Sequence, residues 1–189
     1  MTNEQDEKRP TVGAIALAWW NSLQSGPPHD GRKGGDPGAL ARLRRADLVV
    51  AAMEEVTIDL CRRLAPISNL PPDRLFERAA LIAAVLAHVR ANDGRKVAAA
   101  AGEKVGDDRR VLHPLRLRRL FAARTPGDCL IAFRRLVALL DKKANVADLA
   151  ANLLDWLDAV RGDWRRTRWA FDYYGAAIAT PDDHGQAAA

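Results

Sequence analysis

The chain has 189 residues, enough to bury a core in one domain or two small ones. Hydrophobic residues make up 48% of it, which excludes a generically disordered chain, and no uncharged apolar run reaches the roughly 18 residues of a membrane span. Lysine and arginine number 29 against 24 acids, a net charge of +5 that points to an anionic partner without naming one.

Alanine, leucine and arginine dominate, and apolar residues recur every three or four positions, so the pattern is helical throughout. Residues 11–24 carry Val12, Ile15, Ala16, Trp19 and Trp20 and predict a first helix with an aromatic end. Adjacent Trp19 and Trp20 diverge around a helix, so one of them is expected to cover another element or a partner. The stretch 25–38 holds five glycines and three prolines and reads as a loop. It lacks the Gly-Lys-Ser/Thr ending of a phosphate loop, and no apolar strand precedes it.

A long second helix is expected over about 38–65, with Leu43, Ala46, Val50, Met53, Thr57, Leu60 and Leu64 on one face and Pro66 ending it. A third follows Pro71-Pro72-Asp73, with Asp73 as its cap and Leu75, Ala79, Ile82, Leu86 and Val89 as its buried stripe, closed by Asn92-Asp93-Gly94. Residues 94–113 show no clean stripe and read as a linker or mobile loop with one short helical piece. Pro114 suits the first turn of a helix over 114–123. Thr125-Pro126-Gly127-Asp128 opens another, with Leu130, Phe133, Val137 and Leu140 inward. Asn145 and Asp148 start a helix that turns Leu149, Leu153, Trp156 and Val160 inward. Gly162-Asp163 breaks it, and a last helix runs from Trp164 to about Ala179, with Trp164, Phe171 and some of Trp169, Tyr173 and Tyr174 buried and a frayed tail. The expectation is an all-α fold of seven or eight helices in two small bundle-like domains, 1–105 and 106–189.

Catalytic and metal signatures are missing from this pattern. His29, His88, His113 and His184 have no i,i+4 pairing and no Cys-x-x-Cys beside them. Glu54-Glu55 and Asp107-Asp108 are adjacent pairs, which a helix would splay apart. Cys61 and Cys129 read as buried free thiols. No serine sits in a nucleophile-elbow context. The expectation is a non-enzymatic protein without metal or cofactor. The polar N-terminus does not read as a signal peptide, so a cytoplasmic location follows by elimination.

The basic residues are the positive signal. Between Arg90 and Arg135 there are twelve Lys/Arg against five acids. The clusters are Arg42/Arg44/Arg45, Arg109/Arg110, Arg116/Arg118/Arg119 with Arg124, Arg134/Arg135 with Lys142/Lys143, and Arg161/Arg165/Arg166/Arg168. Arg42 and Arg45 share a helix face, as do Arg116 and Arg119. The planar guanidinium fork holds phosphate oxygens well, and such contacts follow a nucleic-acid backbone without reading its bases. The plain alternative for any one arginine is an ordinary solvated surface residue.

The order and spacing of several segments resemble the CasB family, the small subunit of the type I-E CRISPR surveillance complex Cascade. The segments are the Trp-containing helix Ala18–Leu23, Leu-Ala-x-Leu-Arg-Arg at 40–45, Leu-Arg-Arg-Leu-Phe at 117–121, Ala-Arg-Thr at 123–125 and Phe-Arg-Arg-Leu at 133–136. Asn-Leu-Leu-Asp-Trp at 152–156, Trp-Arg-Arg and Phe-Asp-Tyr-Tyr at 171–174 complete the set. The resemblance implies a helical, non-catalytic subunit that stabilises the guide–target hybrid and the displaced strand. Its implied partners are the large and backbone subunits, a second copy of itself, CRISPR RNA and target DNA, with no membrane. Carried onto this chain, the family's basic positions match Arg44, Arg45, Arg118, Arg119, Arg124, Arg134 and Arg135, with Lys142 and Lys143 beside them. The segment 102–114 departs from the family's pattern at Arg109 and Arg110. Two other readings stay open: a helical adaptor in another assembly, and a lone nucleic-acid-binding regulator.

Overall fold

Capping and proline chemistry set where the helices begin. The computed structural model describes residues 10–24, 35–106 and 109–175. The readings for 25–34, Asp107, Asp108, His29, His184 and the tail beyond 175 lie outside the described residues. In chain order the helices are α1 (Val12–Leu23), α2 (Pro37–Arg45), α3 (Leu48–Met53), α4 (Glu55–Leu64), α5 (Pro72–Leu86), α6 (Val97–Gly102), α7 (Pro114–Ala122), α8 (Pro126–Leu139), α9 (Val146–Asp155) and α10 (Arg161–Tyr174). Among the described residues four two-residue strands accompany them: β1 (Ala91–Asn92), β2 (Lys104–Val105), β3 (Arg109–Arg110) and β4 (Lys143–Ala144). The fold is all-α. β1 and β4 pair in parallel, Ala91 opposite Lys143, and β2 and β3 form a small antiparallel ladder.

Several starts follow the sequence. Thr125 Oγ1 accepts from the Asp128 amide at 3.1 Å, and its hydroxyl donates to the Asp128 carboxylate at 2.7 Å. Asn145 caps α9 the same way, and Pro114 opens α7. The third predicted helix begins at Pro72 with Asp73 in its first turn instead of at its cap. Helix α5 is buried on every side from Arg78 to Ala87, far beyond the predicted stripe, because α3, α4, α8 and α9 all pack on it. Residues from both sides of position 105 join one continuous buried cluster.

The long helix expected over 38–65 is three helices, which takes the count among the described residues to ten. Ala46, Asp47 and Glu54 adopt extended backbone, and the Asp47 carboxylate accepts from the Val50 amide at 2.9 Å to start α3 afresh. Each break rotates the register, so Val50 and Met53 emerge at the surface and Ala51 is buried instead. At the other end, Gly162 lies inside α10, where its amide donates to the Asp158 carbonyl. That register buries Trp169 and Tyr173 and leaves Val160, Trp164 and Phe171 exposed, against the predicted inward placing of those three.

Trp19 and Trp20 are both buried, because α1 packs against α4 and α2 as well as α9; the Trp19 indole donates to the Val56 carbonyl at 2.8 Å. A Cβ on Gly13 would lie 2.9 Å from Ala147, so glycine sets how closely α1 approaches α9. The segment 94–113 is packed structure and not a free linker. α6 is buried against α10, and a Cβ on Gly102 would strike the Tyr173 carbonyl. Cys129 is buried and free, and burial pushes its thiol pKa up to about 12; Cys61 is free and half-buried. Among the described residues no helix is long and apolar enough to cross a membrane.

Candidate nucleic-acid interface

The arginine clusters divide by what each guanidinium touches. Arg134, on α8, donates through Nη2 to the carbonyls of Leu43 and Ala46 at 2.9 and 2.8 Å and through Nε to Ala84 at 3.3 Å. It thereby caps the C-terminal carbonyls of α2 and ties α2, α5 and α8 together. Arg44 reaches the opposite way, its Nε donating to Ala87 at 2.7 Å just past the end of α5. Two helix C-termini meet at this junction, and their partial negative charges favour the cations collected there. Burial pulls both arginines down from the ordinary guanidinium value, and for Arg44 the neighbouring Arg90 adds to it. Arg110 is likewise occupied: Nη1 donates to the carbonyls of Gly102 and Tyr173, and the guanidinium lies 5.1 and 5.3 Å from the rings of Tyr173 and Tyr174.

Arg42 and Arg124 are intermediate cases. Arg42 is exposed, and its Nε donates to both oxygens of Glu54 at 3.0 Å. Arg124 bridges to Asp163 at 3.0 Å, and that hydrogen bond holds the Asp163 carboxyl below the usual carboxylate range. Both keep nitrogen donors toward solvent.

Arg116, Arg119 and Arg135 behave differently. Arg116 and Arg119, three residues apart on α7, face Arg135 on α8 across an open groove of about 830 Å³. Its floor is apolar, with Leu120, Ala123, Ile131 and Leu136 among its residues. The short connection at 123–125 lays α8 beside α7, and burial of Leu117, Leu120, Phe133 and Leu136 fixes which faces remain outside. All three arginines are exposed and have no ion-pair partner among the described residues. The one acid on the groove among the described residues, Asp128, accepts from the Thr125 hydroxyl. The arrangement is a groove with exposed cations and an apolar lining.

The remaining predicted cations are scattered. Arg118 is exposed on α7 but does not line the groove, Arg45 is exposed at the end of α2, and Arg109 lies on β3. Lys142 and Lys143 project from a turn in which Asp141 and Lys142 hold φ of 53° and 60°. Arg90 was not singled out in the sequence. Exposed Arg90 lies beside Lys142, its amide donating to the Lys142 carbonyl at 2.8 Å. Two-residue strands leave no periodic signal, so nothing in the sequence joined positions 90 and 142. His88 is half-buried, and its pKa is lowered by burial first and then by the charge of Arg134, against a hydrogen bond to the Arg44 backbone that raises it. Among the described residues no group of three or more His, Cys, Asp or Glu is placed to hold a metal ion.

A protein-family model described as CRISPR-associated protein Cse2 matches residues 39–174. No curated protein and no solved structure matches the chain. The match spans most of the sequence and contains the groove and the α2–α5–α8 junction. The chain belongs to the Cse2 family.

Proposed function

We propose that this Cse2-family chain, a type I-E CRISPR Cascade small subunit, binds nucleic-acid backbone through the α7–α8 groove and thereby stabilises the R-loop. The observation that carries the reading is the groove itself: Arg116, Arg119 and Arg135 line it with a single acid, Asp128, among the described residues, and none of the three is ion-paired to it. Forming an R-loop exchanges one duplex for another of similar stability, so a few charge-assisted phosphate contacts tip the balance. No sequence-reading element is required, since base pairing with the guide supplies specificity. Arg45, Arg109, Arg118, Lys142 and Lys143 extend the cationic surface, and Arg42 and Arg124 join it by sharing their carboxylate partners. Arg44, Arg110 and Arg134 serve mainly by holding helices in place.

In this reading the chain performs no chemistry. Its partners are the large and backbone subunits, a second copy of itself, CRISPR RNA and target DNA. The test is target-strand binding by the assembled complex with and without this chain, at fixed moderate salt. Omission is expected to weaken binding or shorten R-loop lifetime. Unchanged binding would move the chain to a purely structural adaptor role.

A further inference from the structure

Ala87 closes α5 as its C-cap, and His88 is the next residue. Its amide donates to the Val85 carbonyl at 3.0 Å, so the chain keeps turning and leaves the residue half-buried. The ring nitrogen Nε2 is shielded from water and has no hydrogen-bond partner among the described residues. The charges that act on the ring come from three other parts of the chain: Arg134 on α8, Arg44 on α2 and Lys142 in the turn before β4. Arg90, two residues further on, adds its charge to that of Arg44.

The positive charge gathered here exceeds what the backbone needs. Two helix C-termini carry about half a negative charge each, and Arg44 and Arg134 already donate to the carbonyls of both. Arg90 and Lys142 remain exposed and are joined by the 2.8 Å hydrogen bond from the Arg90 amide to the Lys142 carbonyl. Neither side chain pairs with a carboxylate among the described residues. A proton on Nε2 adds one more positive charge and an N–H without an acceptor, and burial opposes it as well. An anion brought to Arg90 and Lys142 offsets that surplus, and the proton is then easier to hold. Linkage makes the effect reciprocal: a protonated His88 strengthens the hold on the anion.

We propose that Arg90 and Lys142 hold a backbone phosphodiester of the bound nucleic acid and that His88 takes up a proton with it, so the grip tightens as pH falls. The proposal rests on the reading that basic surface outside the α7–α8 groove shares in backbone binding, and it adds a proton-linked site to that surface. Phosphodiesters keep one charge through the neutral range, whereas imidazole is the side chain that titrates there. The coupling acts through space and needs no contact between His88 and the ligand. A neutral side chain at position 88 therefore removes the pH dependence and leaves the two cationic contacts in place. The same fall in pH weakens the fold through His88, so stability and backbone affinity move in opposite directions.

The test follows the His88 ring of the full chain by NMR between about pH 5.5 and 7.5, with and without a random-sequence single-stranded DNA oligonucleotide. Its titration midpoint is expected to move up when the DNA is added. In Arg90→Gln/Lys142→Gln, both at exposed positions, the midpoint is expected to stay where it is. The wild-type chain is expected to bind the DNA roughly three- to tenfold more tightly at the acid end of the range. His88→Gln, checked for helicity by circular dichroism, is expected to lose most of that gain and to match wild type at the alkaline end. A midpoint that does not move with DNA bound, or that moves as far in Arg90→Gln/Lys142→Gln, would overturn the proposal. So would a His88→Gln chain whose affinity follows pH as steeply as wild type. If Arg116→Gln/Arg119→Gln leaves affinity unchanged while the His88 midpoint still responds to DNA, the groove reading fails and this one stands.

Discussion

The α2–α5–α8 junction and the α7–α8 groove use the same side chain for opposite purposes. At the junction, Arg134 and Arg44 spend their donors on carbonyls that no helix can satisfy internally. At the groove, Arg116, Arg119 and Arg135 keep theirs for solvent or a ligand. Consecutive residues of one arginine pair, Arg134 and Arg135, fall on the two sides of this division, because neighbours on a helix point about 100° apart. A cluster of arginines in sequence is therefore not a binding surface until its donors are accounted for.

The sharpest way to break the contrast is at Arg134. Arg134→Met leaves the Leu43, Ala46 and Ala84 carbonyls without their donor and is expected to destabilise the fold by about 2–3 kcal/mol, read from a urea titration. Arg135→Met is expected to change stability by less than about 0.5 kcal/mol. Equal losses in the two would erase the distinction.

Affinity should show the reverse order. The double reversal Arg116→Glu/Arg119→Glu is expected to weaken nucleic-acid binding by roughly a hundredfold or more at low salt with the unfolding midpoint unchanged. Arg118→Glu, off the groove, is expected to cost less than Arg119→Glu in the same assay. A larger loss at Arg118 would move the contact to the other face of α7.

A smaller effect sits at His88. Its folded-state pKa is lowered from 6.5, so below that value the unfolded chain binds more protons than the folded one. Stability from this residue is full above about pH 6.5 and is lost as pH falls from there toward the lowered folded pKa. His88→Gln is expected to flatten that part of the stability–pH curve. A curve unchanged in this window would show that folding does not lower the His88 pKa.

How much of this was legible in the sequence depended on range. Starts at Thr125, Pro114 and Asn145 could be read because cap and helix lie within four residues of each other. The breaks at Ala46 and Glu54 could not, because an apolar stripe with steps of three and four runs straight through them. The occupation of Arg134 was invisible for a plainer reason: two of its acceptors lie 91 and 88 positions away. The groove was half-legible, since the i,i+3 spacing of Arg116 and Arg119 put them on one face but nothing local brought Arg135 opposite. The division at residue 105 stays a proposal about folding units. Hydrogen exchange on the intact chain tests it, two protection levels being expected for two units and one level for a single unit.

The most direct measurement is the salt dependence of target binding by the complex carrying Arg116→Gln/Arg119→Gln/Arg135→Gln in this subunit. If the groove holds backbone phosphates, the slope of log affinity against log salt falls by about two to three, with the fold and incorporation intact. An unchanged slope in a complex that still contains the variant would contradict the account.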